Sequence, residues 1–316
     1  MNFIRILKSS QRIVVGTHYD PDGDAICSTL AIGRLIVRAI GHRPVLFCAS
    51  PIPRRYHFLL GNWQFVRRRP IYDLLILIDS AGIARVFEDF ARRPERYPFS
   101  KIINIDHHQS NDRFGMLQII DEHASSACEI VYRLYRRLRM PVDRETADIL
   151  YAGIYAETGG YMYPNTTRTA FRIAADLVGK GVDPGTTAKR LNAKTAAGTM
   201  LLSRVLETIR IKQGVGTMVL TQRMLHESRA EMVDSENFVS FLQAIRDVRV
   251  SVFLREEREG TRLSLRSDGL LDVDQIAQQF GGGGHRLAAG IRMKTGYRRA
   301  RCLVQKAILE ELRKQL

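Results

Sequence analysis

The sequence has few of the features that mark secreted and membrane proteins. No stretch approaches the roughly 18 apolar residues of a membrane span, and the first residues lack the apolar core of a signal peptide. The four cysteines are scattered and form no C-x-x-C pair, which favours free thiols in a reducing compartment. We therefore expect a cytoplasmic protein. The cysteines are Cys27, Cys48, Cys128 and Cys302.

Two motifs of nucleophilic and nucleotide chemistry are also missing. There is no G-x-S-x-G elbow, so nothing indicates a serine nucleophile. The glycine run that starts at Gly281 continues with His285 and Arg286 rather than with Lys-Ser/Thr, so it is not a Walker P-loop. The chain has no internal repeat and no low-complexity tail. Its chemistry must be sought in other residues.

Basic residues are in excess. The 48 Lys+Arg against 33 Asp+Glu give a net charge of +15, which favours an anionic partner such as nucleic acid, a nucleotide or a membrane surface. A solvated arginine-rich surface is the alternative, because charge alone specifies no partner. The basic groups are short, as in Arg67–Arg69, and aromatic residues are not interleaved with them. A long track for single-stranded nucleic acid is therefore not indicated.

The first part of the chain alternates strand-like and helix-like patterns. "RIVVGTH", "DLLILIDS" and "KIINIDHH" are apolar runs without alternation, which is typical of strands buried on both faces of a parallel sheet. Helical patterns lie between and after them, at residues 24–41, 125–138 and 143–160. Ser126 and Glu129 have the spacing of a capping box. We expect an α/β domain with a doubly wound parallel sheet and helices on both faces.

The pattern changes from about Pro184. Residues 184–211 read as one long helix with polar and small residues, and alternating strands follow Gly214. We therefore expect a first domain over residues 1–185, a helical linker over 186–213, and a smaller α+β domain with a mixed sheet over 214–316.

Acidic and imidazole side chains follow each of the three apolar runs. Ligands bind beyond the carboxyl ends of the strands in open α/β sheets, so these groups should meet at one edge. So many carboxylates would repel one another, and burying their charges would be costly without a cation. A mixed His/Asp set suits manganese, zinc or iron better than calcium or magnesium. The groups are His18, Asp20, Asp22, Asp24, Asp79, Asp106, His107 and His108.

Each of these residues also has an ordinary structural interpretation. An Asp after a strand is commonly a helix N-cap, and Asp24 or Asp79 fits that role. A single His is more often a packed, hydrogen-bonded residue than a metal ligand. Three strand ends that carry such groups together favour the metal site.

Five motifs, in chain order, resemble one family. "HYDPDGDAICS", "ILIDSA", "NIDHHQSN", "YAETGGY" and "FGGGGHRLAAG" resemble the DHH phosphoesterases, in the branch with a DHH-associated C-terminal domain, the bacterial nanoRNase type. The resemblance spans nearly the whole chain. It implies two manganese ions, a cleft between two domains, and hydrolysis of very short oligoribonucleotides to mononucleotides and of 3′-phosphoadenosine 5′-phosphate. Short RNA and a nucleotide bisphosphate are the implied partners, with a homodimer left open and no membrane partner.

The resemblance also implies a set of metal ligands. His18 and Asp22 would hold one metal, Asp24 and His107 the other, and Asp79 would bridge both. Glu157 stands where the family usually has Asp. Because Glu is one methylene longer, it would reach the second metal either directly or through water.

Catalytic and substrate-binding roles follow from the same resemblance. His108 would face the substrate phosphate and act with Asp79, while Asp106 would support the histidines. The expected substrate-binding residues are Asn111, Arg266, Ser267, Gly283, Gly284 and His285, with His285 on a turn after the glycines. From the residues alone, His285 could equally be an exposed residue of a tight turn, and Arg266 a surface residue.

Other functions share parts of this pattern. A phosphodiesterase for cyclic or linear di-AMP would use similar pocket residues. The glycine-rich C-terminal motif argues against an inorganic pyrophosphatase, and the lack of an added nucleic-acid-binding module argues against a RecJ-like exonuclease. A non-catalytic nucleotide-binding regulator is the alternative of another class, and Glu157 is the only feature that favours it.

Overall fold

The chain folds into two compact units. The computed structural model describes residues 3–87 and 89–314, apart from the side chains of Phe99 and His285. The units comprise Met1–Ala193 and Lys194–Leu316, so the division falls inside the segment expected to be a linker. The exact domain limits stay a prediction.

The first unit is built on a parallel sheet of six strands in the order β3-β2-β1-β4-β5-β6. The order reverses between β1 and β4, as in a doubly wound sheet, so the predicted fold class is confirmed. The strands are β1 (Ile13–Gly16), β2 (Val45–Phe47), β3 (Phe65–Val66), β4 (Leu74–Ile78), β5 (Ile102–Asp106) and β6 (Leu117–Ile120). The helices are α1 (Phe3–Lys8), α2 (Gly23–Ile40), α3 (His57–Leu60), α4 (Ala127–Arg137), α5 (Arg144–Glu157), α6 (Arg168–Gly179) and α7 (Pro184–Asn192).

Both faces of this sheet are buried, which explains the uninterrupted apolar runs. Successive side chains of a strand point to opposite faces. Ile76 and Ile78 pack in the cluster that includes α2, α4 and α5. Leu75 and Leu77 pack on the other face, in a cluster that includes Phe87. The chain on either side of Phe87 contains short 3₁₀ helices.

Helices α2, α4 and α5 pack closely behind the strand ends. A Cβ added at Gly153 of α5 would collide with the Cys128 thiol and lie 2.9 Å from Cys27 Cβ, so glycine permits this close approach. Ser126 caps α4 by accepting a hydrogen bond from the Glu129 amide. The second half of the predicted capping box is wrong, because the Glu129 carboxylate accepts from the amide and hydroxyl of Ser125 instead.

Asp143 ties α5 to α2. Its carboxylate caps α5 by accepting from the Thr146 amide, and it accepts a hydrogen bond of 2.9 Å from Arg34. Arg38 forms a second ion pair with it. Burial alone would raise the pKa of Asp143, but the bonds to Thr146 and the charges of Arg34 and Arg38 outweigh burial and lower the pKa from 3.8 to about 2.

The second unit is a smaller α+β fold with a mixed sheet, as predicted. Its strand order is β11-β12-β10-β9-β8-β7, in which β8 and β9 are parallel and the other neighbours antiparallel. The strands are β7 (Arg210–Lys212), β8 (Val215–Leu220), β9 (Val250–Glu257), β10 (Gly260–Ser267), β11 (Gly283–His285) and β12 (Ala288–Met293). The helices are α8 (Ala196–Leu206), α9 (Gln222–Ser228), α10 (Val239–Gln243), α11 (Val273–Gln278) and α12 (Tyr297–Lys314).

The single long helix expected over residues 184–211 is wrong. The chain leaves the helical conformation at Ala193, where φ is −58° and ψ is 131°. A new helix begins after Thr195, whose hydroxyl accepts a hydrogen bond of 2.8 Å from the Gly198 amide. An N-cap inside the helical pattern therefore divides it into α7 and α8.

The state of the cysteines and the length of the helices are relevant to the expected cytoplasmic location. All four cysteines are free, and Cys302 is exposed while the other three are buried. Burial raises the pKa of the Cys48 thiol to about 11, which makes this thiol unreactive. Across residues 3–87 and 89–314, every helix is too short or too polar to cross a bilayer.

Candidate metal centre

The candidate residues meet at the carboxyl edge of the parallel sheet. Strands β1, β4 and β5 are neighbours in that sheet, and the chain continues from them into His18, Asp79 and His107. Asp22 and Asp24 lie at the start of α2, and Glu157 is the last residue of α5.

Asp79 lies at the middle of the cluster. Its carboxylate oxygens are 3.9 Å from His18 Nε2, 3.3 Å from His107 Nε2 and 3.7 Å from His108 Nδ1. The residue is buried, with 2% of its surface exposed. Its φ of 54° lies in the left-handed region, which is uncommon for a residue other than glycine and costs conformational energy. The surrounding structure therefore holds Asp79 in place.

Backbone carbonyls orient two of the imidazoles. His18 Nδ1 lies 2.8 Å from the Tyr19 carbonyl oxygen, and His107 Nδ1 lies 3.4 Å from that of Ala124. A carbonyl oxygen only accepts, so each ring carries its proton on Nδ1 in these bonds. Each ring then presents Nε2 to Asp79, and metal-binding histidines are oriented in the same way by a hydrogen bond at their other nitrogen.

Asp24 is held by the first turn of α4. Its two oxygens accept hydrogen bonds of 2.5 Å and 2.9 Å from the amides of Ala127 and Cys128. One of these oxygens also lies 3.7 Å from His107 Nε2. Asp24 is therefore not the cap of its own helix. Asp22 has that role, because it accepts from the Ala25 amide.

The described residues form two compact sets of candidate ligand atoms, each within 4.8 Å. One set is Asp79, His107 and His108, and the other is His18, Asp22 and Asp79. Asp79 belongs to both. Asp79 Oδ1 is buried and accepts no hydrogen bond within the described part of the chain. An oxygen of this kind, among imidazole nitrogens and carboxylates, fits a divalent cation.

The charges of the cluster also favour a cation. Burial, followed by the charge of Asp79, raises the pKa of Asp24 from 3.8 to about 8. Burial and the charge of Asp22 raise the pKa of Glu157 well above its usual range. Burial opposes the ionised form of Asp79 as well, but the imidazoles of His107 and His108 outweigh it and lower its pKa. The imidazoles thus compensate one carboxylate, and the others need further positive charge.

A hydrogen-bond chain supports His108. Its Nδ1 lies 2.7 Å from Asp106 Oδ1, and Asn111 donates a bond of 2.6 Å to the other oxygen of Asp106. Asn111 Oδ1 accepts from the Asn104 side chain and from the Arg113 amide. The Asn111 amide is therefore bonded within the protein, although it was expected to bind substrate. Asp106 therefore fixes the orientation of the His108 imidazole.

The expected substrate-binding residues of the second unit have structural contacts of their own. Arg266 donates a hydrogen bond of 2.9 Å to the Leu265 carbonyl, and the Ser267 hydroxyl accepts from the amides of Gly269 and Leu271. A Cβ at Gly284 would collide with the backbone of β12, whereas a Cβ at Gly283 would meet only Asp274, at 3.6 Å. Glycine is thus required for strand packing at one of the two positions.

His285 is not on a turn, contrary to expectation. His285 is the last residue of β11, and its backbone pairs with that of Ala288. The turn follows at residues 286–287. The hydrogen bond from the Gly284 amide to Asp274 holds this strand. The His285 side chain lies outside the described part of the structure, so its expected phosphate contact stays a prediction.

Two supporting residues were missed by the sequence. Asn104 is fully buried in β5 and donates to Asn111. The sequence feature that could have indicated this role is a polar residue in the middle of an apolar strand. Asn165 donates to the carbonyls of Ser125 and Glu157 and so links the start of α4 to the end of α5. Nothing in the sequence around Asn165 indicates this role.

Comparisons with known proteins found matching family models, relatives and solved structures. The sequence matches the DHH family, N-terminal domain, over residues 12–154, and the DHHA1 domain over residues 216–314. A protein of Thermus thermophilus named bifunctional oligoribonuclease and PAP phosphatase NrnA is 34% identical over 89% of this chain and 84% of that relative. A Bacillus subtilis protein of the same name is 26% identical over 91% of both. The crystal structure of an exopolyphosphatase-related protein from Bacteroides fragilis superposes with a TM-score of 0.88 at 26% identity, and it covers 98% of this chain and 95% of that one.

Proposed function

The chain belongs to the DHH family of phosphoesterases, and from this premise we propose that it hydrolyses short oligoribonucleotides to mononucleotides. We extend the proposal to removal of the 3′-phosphate of 3′-phosphoadenosine 5′-phosphate. The observation that carries the proposal is the position of Asp79 in both sets of candidate ligand atoms. The names of the Thermus and Bacillus relatives supply the substrate class.

We propose that two divalent cations, preferentially manganese, bind at this edge of the sheet. His18 and Asp22 would hold one, Asp24 and His107 the other, and Asp79 would contact both. Glu157 would contribute at the second. Such ions, when bound, polarise phosphoryl oxygens and acidify water. Bound cations would also allow the buried carboxylates of Asp24 and Glu157 to ionise, because they offset the cost of burial.

The remaining residues would act on the substrate phosphate. His108 donates through Nδ1 to Asp106, which leaves Nε2 directed elsewhere. A protonated His108 would stabilise the negative charge that develops on phosphate oxygens. Asp106 fixes the orientation of the imidazole, and Asn111 donates a hydrogen bond to Asp106. No covalent enzyme intermediate is required.

We propose that Arg266 and His285 of the second unit bind a phosphate group of the substrate. An arginine fork matches phosphate geometry, and β10 and β12 bring Arg266 into the same row as the His285 backbone. We also propose a cytoplasmic location, supported by four free cysteines.

A substrate panel with the purified protein tests the function. The panel contains an RNA dinucleotide, a 20-nucleotide RNA, 3′-phosphoadenosine 5′-phosphate, cyclic di-AMP and pyrophosphate, each with Mn²⁺, Mg²⁺ or EDTA. We expect the dinucleotide and the nucleotide bisphosphate to be hydrolysed with Mn²⁺ and neither in EDTA. Preferred hydrolysis of cyclic di-AMP, or no hydrolysis of any member, would overturn the proposal.

A further inference from the structure

The face of the second sheet opposite α11 and α12 is covered at β8 and β9 by residues of α8, α9 and α10. Side chains on this face form rows that run across the strands. Leu254, Leu263 and Ile291 point inward and belong to the core with α11 and α12. Their neighbours in the strands therefore point to the opposite face. The register there pairs Arg255 with Arg262, and Arg262 with Arg292.

These three arginines form what we call the arginine row. Each occupies a directly opposed position on β9, β10 or β12, and neighbouring strands lie about 4.8 Å apart. Like charges directly opposite one another destabilise a sheet. A row of three guanidinium groups is therefore costly unless anions compensate them.

Acidic groups lie beside the row, but one buried donor of Arg255 has no acceptor among the described residues. Arg292 forms an ion pair of 3.2 Å with Glu257. Arg255 donates a hydrogen bond of 2.7 Å to the Ser264 hydroxyl, but its Nε is buried and makes no hydrogen bond within the described residues. Burial and then the charge of Arg262 lower the pKa of Arg255 to about 10, while Glu236 and Glu257 act in the opposite direction. Arg255 thus has a buried donor without an acceptor among the described residues, in a place where Arg262 and Arg266 oppose its charge.

A row of mostly small residues lies between the arginine row and Arg266, and we call it the glycine floor. On the same face of the sheet, this row consists of Phe253, Ser264, Gly290 and Gly283. The following row contains Arg266 and the backbone of His285. Gly283 and Gly290 are both exposed. Arg262 and Arg266 are four residues apart on β10, or about 13 Å along the strand. Between these two positive positions the surface carries only small side chains on β10, β12 and β11.

We propose that the arginine row is a second anion site, which binds a phosphate of an oligonucleotide that lies along β10 with a nucleoside over the glycine floor. This inference rests on the proposed function, and it specifies the substrate as one that carries phosphates at both ends of the floor. A mononucleotide reaches only one of the two positions. The guanidinium groups of Arg255 and Arg262 bind the additional phosphate.

Binding measured without turnover tests this site. The probes are a 5′-phosphorylated RNA trinucleotide and AMP, titrated calorimetrically in EDTA at two salt concentrations. Arg255→Gln and Arg262→Gln should each weaken trinucleotide binding about tenfold and change AMP binding less than twofold. The slope of log affinity against log salt should fall by about 0.7 for each lost phosphate contact. Arg258→Gln, in the turn next to the row, removes the same charge and should stay within twofold of the wild type.

The outcomes separate this inference from the proposed function. The second anion site would be overturned if the substitutions weakened the binding of both probes equally. It would also be overturned if Arg258→Gln weakened trinucleotide binding as much, or if the wild type did not bind the trinucleotide. If the wild type hydrolyses no RNA while the contrast between probes holds, the function fails and the site stands. Melting temperatures exclude a folding defect, and Arg262→Gln provides the test if Arg255→Gln does not fold.

Discussion

Substitution of Asp79 by asparagine removes the central charge of the site and leaves its shape. Asparagine tolerates the left-handed φ of 54° that Asp79 adopts, so the fold should be kept. Alanine is a poorer choice, because it costs about 1–2 kcal/mol in that region. The pair Asp79→Asn and Asp79→Ala should therefore lose activity alike but differ in melting temperature.

The size of the effect follows from the position of the carboxylate. Two unit charges 4 Å apart at an effective dielectric constant of 20 interact by about 4 kcal/mol. A carboxylate that contacts divalent cations interacts at least as strongly, so its loss should reduce kcat/KM about a thousandfold or more. Because Asp79 belongs to both sets of candidate ligand atoms, the metal content should fall for both ions.

The measurements are metal content by mass spectrometry and turnover of an RNA dinucleotide. Asp73→Asn is a matched control, since Asp73 precedes the same strand at its other end and accepts from the amides of Gln11 and Arg12. It should keep turnover within about twofold. An Asp79→Asn protein that holds its full metal complement and retains more than about 1% of turnover would refute the bridging role.

Three further predictions concern positioning, packing and pH. Asp106→Asn should reduce kcat tenfold to a hundredfold with unchanged metal content, because His108 loses the carboxylate that orients it; a fall in metal content would make Asp106 a ligand instead. Gly153→Ala should destabilise the fold by about 1–3 kcal/mol in chemical denaturation, because the new methyl collides with a buried thiol, whereas Gly179→Ala, with open space around it, should not. Asp143 has a folded pKa of about 2, below its usual 3.8, so it stabilises the fold above about pH 4 and loses this contribution as the pH falls towards 2. The melting temperatures of wild type and Asp143→Asn should therefore converge over that range, and a constant gap would contradict the shift.

Local patterns predicted strands β1, β4 and β5 and helices α2, α4 and α5 of the first unit, but not its other strands and helices. Apolar runs without alternation identified the buried parallel strands, because both faces of that sheet are covered. The helical pattern over residues 24–41 was confirmed as α2, which ends at Gly41 with a φ of 71°. The predictions that were wrong concern places where a short side chain forms a hydrogen bond that the longer sequence pattern does not include. Thr195 divides a helical segment in two, and Ser125 takes the Glu129 carboxylate that the capping box would have used.

The glycine run shows a different limit. Glycine permits turns, close approach of ligands and close approach of strands, and sequence does not distinguish these uses. At Gly284 the neighbour is the backbone of β12, which lies later in the chain. The turn was predicted at His285, but the structure has it at residues 286–287.

The sequence by itself determined that Asp79 and His107 would meet, because both follow buried parallel strands, and the carboxyl ends of such strands share one edge. Only the tertiary structure decided which imidazole nitrogen faces Asp79, since the Ala124 carbonyl that orients His107 comes from a distant loop. It also decided that Asp24 accepts from α4 rather than capping α2. The arginine row likewise arises from strand register between residues up to 37 positions apart, from Arg255 to Arg292. A shift of one residue in any strand would send its arginine to the opposite face, and local sequence does not encode that register.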